Sequence, residues 1–297
     1  MKNFLVIADK PGEPQSAFLK AKELARTSGA KIHLAAFCYE PGVDISDPEI
    51  NGPLLKQRIM LELQNWWQGF IDTHAGEQSV NLEVIWQKNL YEWILASCQS
   101  HQYDLIIKTG HRSEGMFYTP TDWLLFRDAP IPVYIVAKEQ FNAKKRVLVA
   151  LDVLAKSADK QALNAQLLEC AFRLAVQTDA ELHCAYAIKV PTLLKDLDLV
   201  DPHAYAHKIM GAAQANMARL VEDYDISPDC IHIEEGEPWG AIARLAKRLH
   251  SQCLVVGSMG HKGLMGKLIG NMAEKIIHVT NTDLLVISPE VKVKIAI

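Results

Sequence analysis

A glycine-rich stretch near the end of the chain has the residue types and spacing of an anion-binding loop. It follows the apolar run Val255-Val256, and its glycines are Gly257, Gly260, Gly263, Gly266 and Gly270. Glycine lets the backbone approach a ligand closely. Asn271 is a good N-cap with Glu274 three residues later, which predicts a helix that begins here and offers free N–H donors. With His261, Lys262 and Lys267 as further donors, the stretch is predicted to hold phosphates.

The spacing excludes the better-known phosphate motifs. A Walker loop ending at Gly266-Lys267 would need a glycine in place of His261 and a hydroxyl in place of Leu268. The dinucleotide pattern G-x-G-x-x-G is absent. Residues 108–111 resemble the H-x-G-H motif of nucleotidyl transferases, but they follow the fourth apolar run of their copy, whereas that motif follows the first. The pattern present is G-x2-G-x9-G, formed by Gly257, Gly260 and Gly270.

The elements that must position this loop occur twice along the 297 residues. Residues 3–9 and 146–152 are both short apolar runs that end in an acid, Asp9 and Asp152. Residues 28–33 and 178–183 are also alike, and each half closes with two more apolar runs. The repeat predicts two copies of one domain, over 1–140 and 144–297.

Each copy is predicted to be an α/β domain. The apolar runs are short, unbroken and aliphatic, which is typical of parallel strands that are buried on both faces. Between them lie helical patterns, in the second copy over 162–176, 203–224 and 239–250. We therefore expect two tandem Rossmann-like domains, each an open five-stranded parallel sheet with helices on both faces, with ligands at the carboxyl ends of the strands.

The glycine spacing, with an acid ending the first strand, resembles the universal stress protein family of adenine nucleotide-binding proteins. The resemblance covers essentially the whole chain, twice, and residues 119–123 are most similar to tandem bacterial members. It implies a non-catalytic stress-response protein that binds ATP, with or without Mg²⁺, through its second copy. It also implies that the two copies pair within the chain, near Val133–Val136 and Leu284–Ile287. A further homodimer is left open.

The resemblance also implies the roles of individual residues. Asp152 would meet the adenosine moiety, and the backbone near Ala187 would meet adenine. The remaining nucleotide-binding residues would be Gly257, Ser258, Gly260, His261, Lys262, Gly270, Asn271 and Met272. Asn271 departs from the family, which usually has Ser or Thr after the third glycine. For His261, solvent exposure and phosphate contact are equally open.

The first copy is predicted to have lost this site. Gly110 and Pro120 keep the nine-residue gap, so Pro120 is aligned with Gly270, and Lys108 or its neighbour replaces the first glycine. Proline has no N–H to donate to an anion, and it fits instead as the first residue of a helix. We therefore expect that the first copy does not bind ATP in the family manner.

The remaining residues favour binding over catalysis. The net charge of −4 and the lack of a long basic run argue against a nucleic-acid partner. The sequence contains no apolar run of 18 residues, so a membrane span is not expected. Six scattered cysteines and the short N-terminal apolar run favour the cytoplasm. His33 and His183 lie in apolar strands, which favours buried structural histidines over ligands. Trp66-Trp67 favours core or inter-domain packing over a base-stacking platform. No catalytic constellation and no metal-ligand spacing is found.

One alternative function stays open from the residues alone. The degenerate first copy and the aromatic residues at 116–118 and 123 would suit a nucleotide-independent scaffold, or a carrier of an apolar ligand or partner protein. An adenine nucleotide, or another phosphate-bearing ligand, is the leading prediction because of Asp152 and the glycine loop.

Overall fold

The computed structural model describes residues 2–41, 51–110, 120–137, 143–189, 201–258, 272–277 and 279–289. These residues form two compact units, each built on a parallel sheet. Where the chain is described, the first unit contains residues 2–110 and 130–136, and the second contains residues 120–129 and 137–289.

The first unit has a five-stranded sheet with the strand order β3-β2-β1-β4-β5. Its strands are β1 (Asn3–Ile7), β2 (Lys31–Cys38), β3 (Val80–Trp86), β4 (Leu105–Thr109) and β5 (Val133–Val136). Its helices are α1 (Ser16–Ser28), α2 (Gly52–His74) and α3 (Leu90–Ser100). All four strand pairs are parallel, so each connection crosses over the sheet.

The second unit repeats this sheet with the order β10-β9-β6-β7-β8. Its strands are β6 (Lys144–Ala150), β7 (Glu181–Ile188), β8 (Ile231–Glu235), β9 (Ser251–Gly257) and β10 (Asp283–Ile287). Its helices are α4 (Pro120–Asp128), α5 (Ala158–Thr178), α6 (Pro202–Val221), α7 (Pro238–Leu249) and α8 (Met272–Ile277). Short 3-10 turns lie at Glu222–Tyr224 and Pro228–Cys230.

The predicted fold class is confirmed. Both sheets have one order, with the first strand of the copy between the second and the fourth. The apolar runs became strands because both their faces are covered: Phe4, Leu5 and Val6 in β1 are fully buried, as are residues 147–149 in β6. The three helices predicted in the second copy are present, and each begins one to four residues earlier than its apolar pattern suggested.

The helix ends follow local chemistry. Asn51 and Asn89 cap α2 and α3 by accepting the N–H of Leu54 and Glu92, and Asp201 caps α6. In α2 the prediction of core packing holds for Trp67, which is fully buried, while Trp66 is partly exposed. Among the described helices, none has both the length and the apolar character needed to cross a bilayer.

Candidate functional site

A cavity of about 410 Å³ opens at the carboxyl ends of β6, β7 and β9 in the second unit. In the order of strands, β7 is the neighbour of β6 in one direction and β9 is its neighbour in the other direction. The order of strands therefore reverses next to β6, and crevices for ligands form at such reversals. The cavity lies where the α/β pattern predicted it.

Asp152 follows β6 at the edge of this cavity, and Asn164 of α5 fixes its backbone. The Asn164 side-chain oxygen accepts the Asp152 N–H at 2.9 Å, and its amide group donates to the Asp152 carbonyl at 2.8 Å. Asn164 is buried, so both bonds are shielded from water. The Asn164 amide group therefore holds the Asp152 peptide in one orientation.

The Asp152 carboxylate itself is open to solvent and to the cavity. Its side chain is 45% exposed, and it accepts a hydrogen bond from the Lys160 ammonium at 3.0 Å. Lys160 is similarly exposed, at 47%, so solvent weakens this ion pair. A ligand hydroxyl can therefore replace Lys160 on the carboxylate at small cost.

The inner wall of the cavity is apolar. Leu163 and Leu167 of α5 contribute to it, and so do Ala187, Pro238 and Ile242. Tyr186 and Lys189 border the same space, and Lys189 pairs with Glu237 at 3.2 Å. A flat apolar group fits such a wall, with two ammonium groups near its rim.

Tyr186, which borders the cavity, keeps its hydroxyl protonated. Burial raises the pKa of its phenol, and the charges of Asp152 and then of Tyr205 raise it further. At neutral pH Tyr186 is therefore neutral and can donate a hydrogen bond as well as accept one.

Gly257, the last residue of β9, lies against α5. A Cβ atom there would stand 2.8 Å from Leu163 Cδ2 and 3.3 Å from Leu167 Cδ1. The absence of a side chain at Gly257 thus lets β9 and α5 pack closely beside the cavity. Ser258, the next residue, is fully buried, and its N–H donates to the Ile287 carbonyl at 2.9 Å.

The structure brings four of the predicted nucleotide-binding residues to this one cavity: Asp152, Ala187, Gly257 and Met272, the first residue of α8. Ser258 is not among the residues that line it. The other predicted residues lie outside the described part of the chain: Gly260, His261, Lys262, Gly270 and Asn271.

Four polar lining residues were not predicted from the sequence: Lys160, Asn164, Tyr186 and Lys189. The signal for Asn164 was present, because it is a polar residue inside the apolar stripe of α5, between Leu163 and Leu167. Lys160 lies one helical turn before it. A polar residue on a buried helix face needs a partner, and here the partner is the peptide of Asp152.

The corresponding region of the first unit is built differently. The strand register places Thr109 where the second unit has Gly257. The Thr109 hydroxyl donates to Asp9 Oδ2 at 2.7 Å and accepts the Ala17 N–H at 3.0 Å. Asp9, the counterpart of Asp152, is only 6% exposed. Where Asp152 faces a cavity, Asp9 is buried against a threonine hydroxyl.

This register corrects the alignment of the first glycine loop. Gly110 corresponds to Ser258, and not to Gly260, since the N–H groups of Gly110 and Ser258 donate to the equivalent carbonyls of β5 and β10. Residues 111–119 precede α4, whereas residues 259–271 precede α8. The nine-residue gap was misleading because the first loop is four residues shorter. Pro120 does begin a helix, as predicted.

Comparisons with known proteins agree with this architecture. A model of the universal stress protein family matches residues 1–137 and 144–288. Universal stress protein E of Escherichia coli (strain K12) is 30% identical over 301 residues, covering 97% of this chain and 94% of that protein. The universal stress protein E homolog of Haemophilus influenzae is 28% identical over 306 residues, covering 98% of each chain. A solved structure from Pseudomonas aeruginosa UCBPP-PA14 has a TM-score of 0.71 and 24% identity, covering 98% of this chain and 94% of that chain, and it shows the shared fold.

Proposed function

The chain belongs to the universal stress protein family, with two tandem copies of its domain, and from that premise we propose that the second copy binds an adenine nucleotide. The observation that carries the proposal is the convergence of Asp152, Ala187, Gly257 and Met272 on one cavity. These residues come from four separate places in the chain, and the sequence singled out all four.

The cavity has a suitable surface for each part of a nucleoside. The apolar wall of Leu163, Ala187 and Ile242 accepts a flat base. Asp152, held in place by Asn164, accepts hydrogen bonds from sugar hydroxyls. Lys160, once released from Asp152, and Lys189 provide positive charge for phosphates. ATP, with or without Mg²⁺, is the nucleotide that we propose.

The lining favours binding over turnover. Among the described lining residues Asp152 carries the sole carboxylate, and its nearest charged partner is an ammonium group. Acid–base chemistry needs a second group of matched pKa close to the reacting atom. We propose a ligand-responsive protein of the stress response, in a reducing compartment that fits its six free cysteines.

The proposal is tested by identifying what the purified protein carries. The full chain is denatured after gel filtration, and the supernatant is analysed by mass spectrometry. We expect an adenine nucleotide at up to one per chain. Purified Asp152→Asn protein should carry no nucleotide, while the control variant Asp72→Asn, at an exposed position of α2, should carry it as the wild type does. An empty wild type that also fails to bind added ATP with Mg²⁺ contradicts the proposal.

A second candidate, a carrier of an apolar ligand, is supported by the apolar wall of the same cavity. It predicts a different molecule in the same supernatant, without phosphate, and binding that survives Asp152→Asn. A Gly270→Val variant separates the two further, because a carrier does not need the glycine loop.

A further inference from the structure

A second polar cluster lies at the amino ends of β7 and β8, at the opposite end of the strands from the cavity. Glu181 and His183 are two residues apart at the start of β7, and Cys230 and His232 are two residues apart where the chain enters β8. The register pairs Ala185 with His232, so all four side chains project from one face of the sheet. None of them takes part in the proposed nucleotide site.

Three of these side chains lie close together, and the fourth, His232, contacts His183. The Glu181 carboxylate, a His183 ring nitrogen and the Cys230 sulfur lie within 4.8 Å of one another. His183 Nε2 is 2.9 Å from Glu181 Oε2, and His183 Nδ1 is 3.0 Å from His232 Nε2. The Cys230 thiol lies 3.5 Å from Glu181 Oε1. Ligands of a tetrahedral ion with bonds of about 2.0–2.3 Å are roughly 3.3–3.8 Å apart, so small rotations would place the atoms of Glu181, His183 and Cys230 around one ion. His232 lies against the other nitrogen of the His183 ring and would orient that ring from outside the ligand shell.

The donor set is chemically selective. A thiol, an imidazole and a carboxylate offer S, N and O atoms, the combination that Zn²⁺ takes in proteins, and they leave a fourth position for a water molecule. Mg²⁺ and Ca²⁺ prefer oxygen alone. Glu181 and His183 lie in β7, and Cys230 ends the 3-10 turn that leads directly into β8, so the paired strands hold all three donors.

The surroundings provide both shielding and access. His183 and Cys230 are buried, and the Glu181 side chain is 50% exposed. A surface cavity of about 660 Å³ reaches Glu181 and Cys230, and Asp179 and Asp225 also line it. Arg146 donates to Glu181 Oε2 at 2.9 Å, which would orient the carboxylate from outside the ligand shell. An ion can enter by this cavity without unfolding the sheet.

The first unit supplies an internal comparison. His33 occupies the place of His183 by strand register, opposite Leu5 as His183 is opposite Leu148. It pairs with Glu83 at 2.9 Å and with the hydroxyl of Tyr103. In the first unit the third member of the group is therefore the Tyr103 phenol, whereas in the second unit it is the Cys230 thiol. Among the described residues, a group of Cys, His and Glu is found in the second unit.

We infer that Glu181, His183 and Cys230 form a Zn²⁺ site at the amino end of the second sheet, separate from the nucleotide cavity, with His232 orienting the His183 ring. No metal-ligand spacing is visible along the chain because Glu181 and Cys230 are 49 residues apart and meet only through strand pairing. The site would tie β7 to β8 at the edge of the sheet.

The test uses the full chain, stripped with a chelator and titrated with Zn²⁺ against a chromophoric indicator. We expect one tight equivalent, and Co²⁺ in its place should show a thiolate-to-metal charge-transfer band. Cys230→Ser should remove that band and weaken Zn²⁺ binding by at least about tenfold, since even outer-shell changes cost ~10–100-fold. His183→Gln should do the same to affinity, whereas the matched His33→Gln should not.

Glu181→Gln guards against misfolding, because this half-exposed side chain can change without disturbing the core. It should weaken Zn²⁺ binding while the circular dichroism and melting temperature of the metal-free protein stay unchanged. The inference is overturned if no stoichiometric equivalent binds, or if the charge-transfer band survives Cys230→Ser. It is overturned equally if His33→Gln costs as much affinity as His183→Gln.

Discussion

Replacing Gly257 by alanine tests the close packing of β9 against α5. The added Cβ would stand 2.8 Å from Leu163 Cδ2, closer than carbon atoms approach in proteins, and 3.3 Å from Leu167 Cδ1. The contacted atoms are methyl groups of leucines that line the cavity, so they can relieve the clash only by turning into that space. The backbone of Gly257 has no positive φ, so the cost is steric and not conformational.

The expected cost can be bounded. Overpacking a well-filled core by one methyl group destabilises by about 1–3 kcal/mol, and the low end, ~1 kcal/mol, applies here because the leucine methyl groups can turn into the cavity. For a unit of this size each kcal/mol lowers the melting temperature by about 2–4 °C. We therefore expect Gly257→Ala to melt about 2–4 °C below the wild type. Because Leu163 also lines the cavity, the variant should bind ATP more weakly.

The matched control lies in the same unit. Gly211 is inside α6, and a Cβ atom there would have no neighbour within 4 Å. Alanine in a helix interior is more stable than glycine by about 0.5–1 kcal/mol, so Gly211→Ala should raise the melting temperature. Differential scanning calorimetry of the two variants measures both effects. A Gly257→Ala protein that melts at or above the wild-type temperature would refute the packing argument.

Three further predictions concern single side chains. Asn164→Ala should lower the free energy of unfolding by about 1–3 kcal/mol and weaken ATP binding, because two partly buried hydrogen bonds to Asp152 are lost. Urea denaturation and calorimetry measure the two effects, and unchanged values in both would contradict its positioning role. Lys160→Met should change the free energy of unfolding by less than about 1 kcal/mol, since its ion pair is half exposed, and a larger loss would show that the pair is structural. Burial raises the pKa of the Cys170 and Cys184 thiols to about 12, so both should react with a disulfide reagent at pH 8 only when the protein unfolds. Fast labelling of the native protein at either cysteine would contradict their burial.

Much of the fold could be predicted because its signals are local. Unbroken aliphatic runs such as that of β6 identify strands covered on both faces, and the acid after each run marks its carboxyl end. Asp152 and Gly257 follow or end such runs, so topology alone places them at one edge of the sheet. These two site residues could therefore be predicted from the sequence.

The residues that were missed depend on tertiary contacts. The role of Asn164 requires that the first turns of α5 pack over the end of β6, which no local pattern gives. The place of Thr109 depends on strand register, and counting glycines from Gly110 gave the wrong counterpart because the loop lengths differ. Cys230 and His183 meet only through the pairing of β7 with β8.

Isothermal titration calorimetry of the full chain with ATP and Mg²⁺ tests the central claim most directly. The account predicts one site per chain, in the second copy. Asp152→Asn should weaken binding by about 1.5–3 kcal/mol, or about 10- to 150-fold, as expected for lost hydrogen bonds to a charged group. The matched change Asp9→Asn should leave affinity and stoichiometry unchanged, because Asp9 is buried against Thr109. Two sites per chain, or equal losses in both variants, would contradict the account.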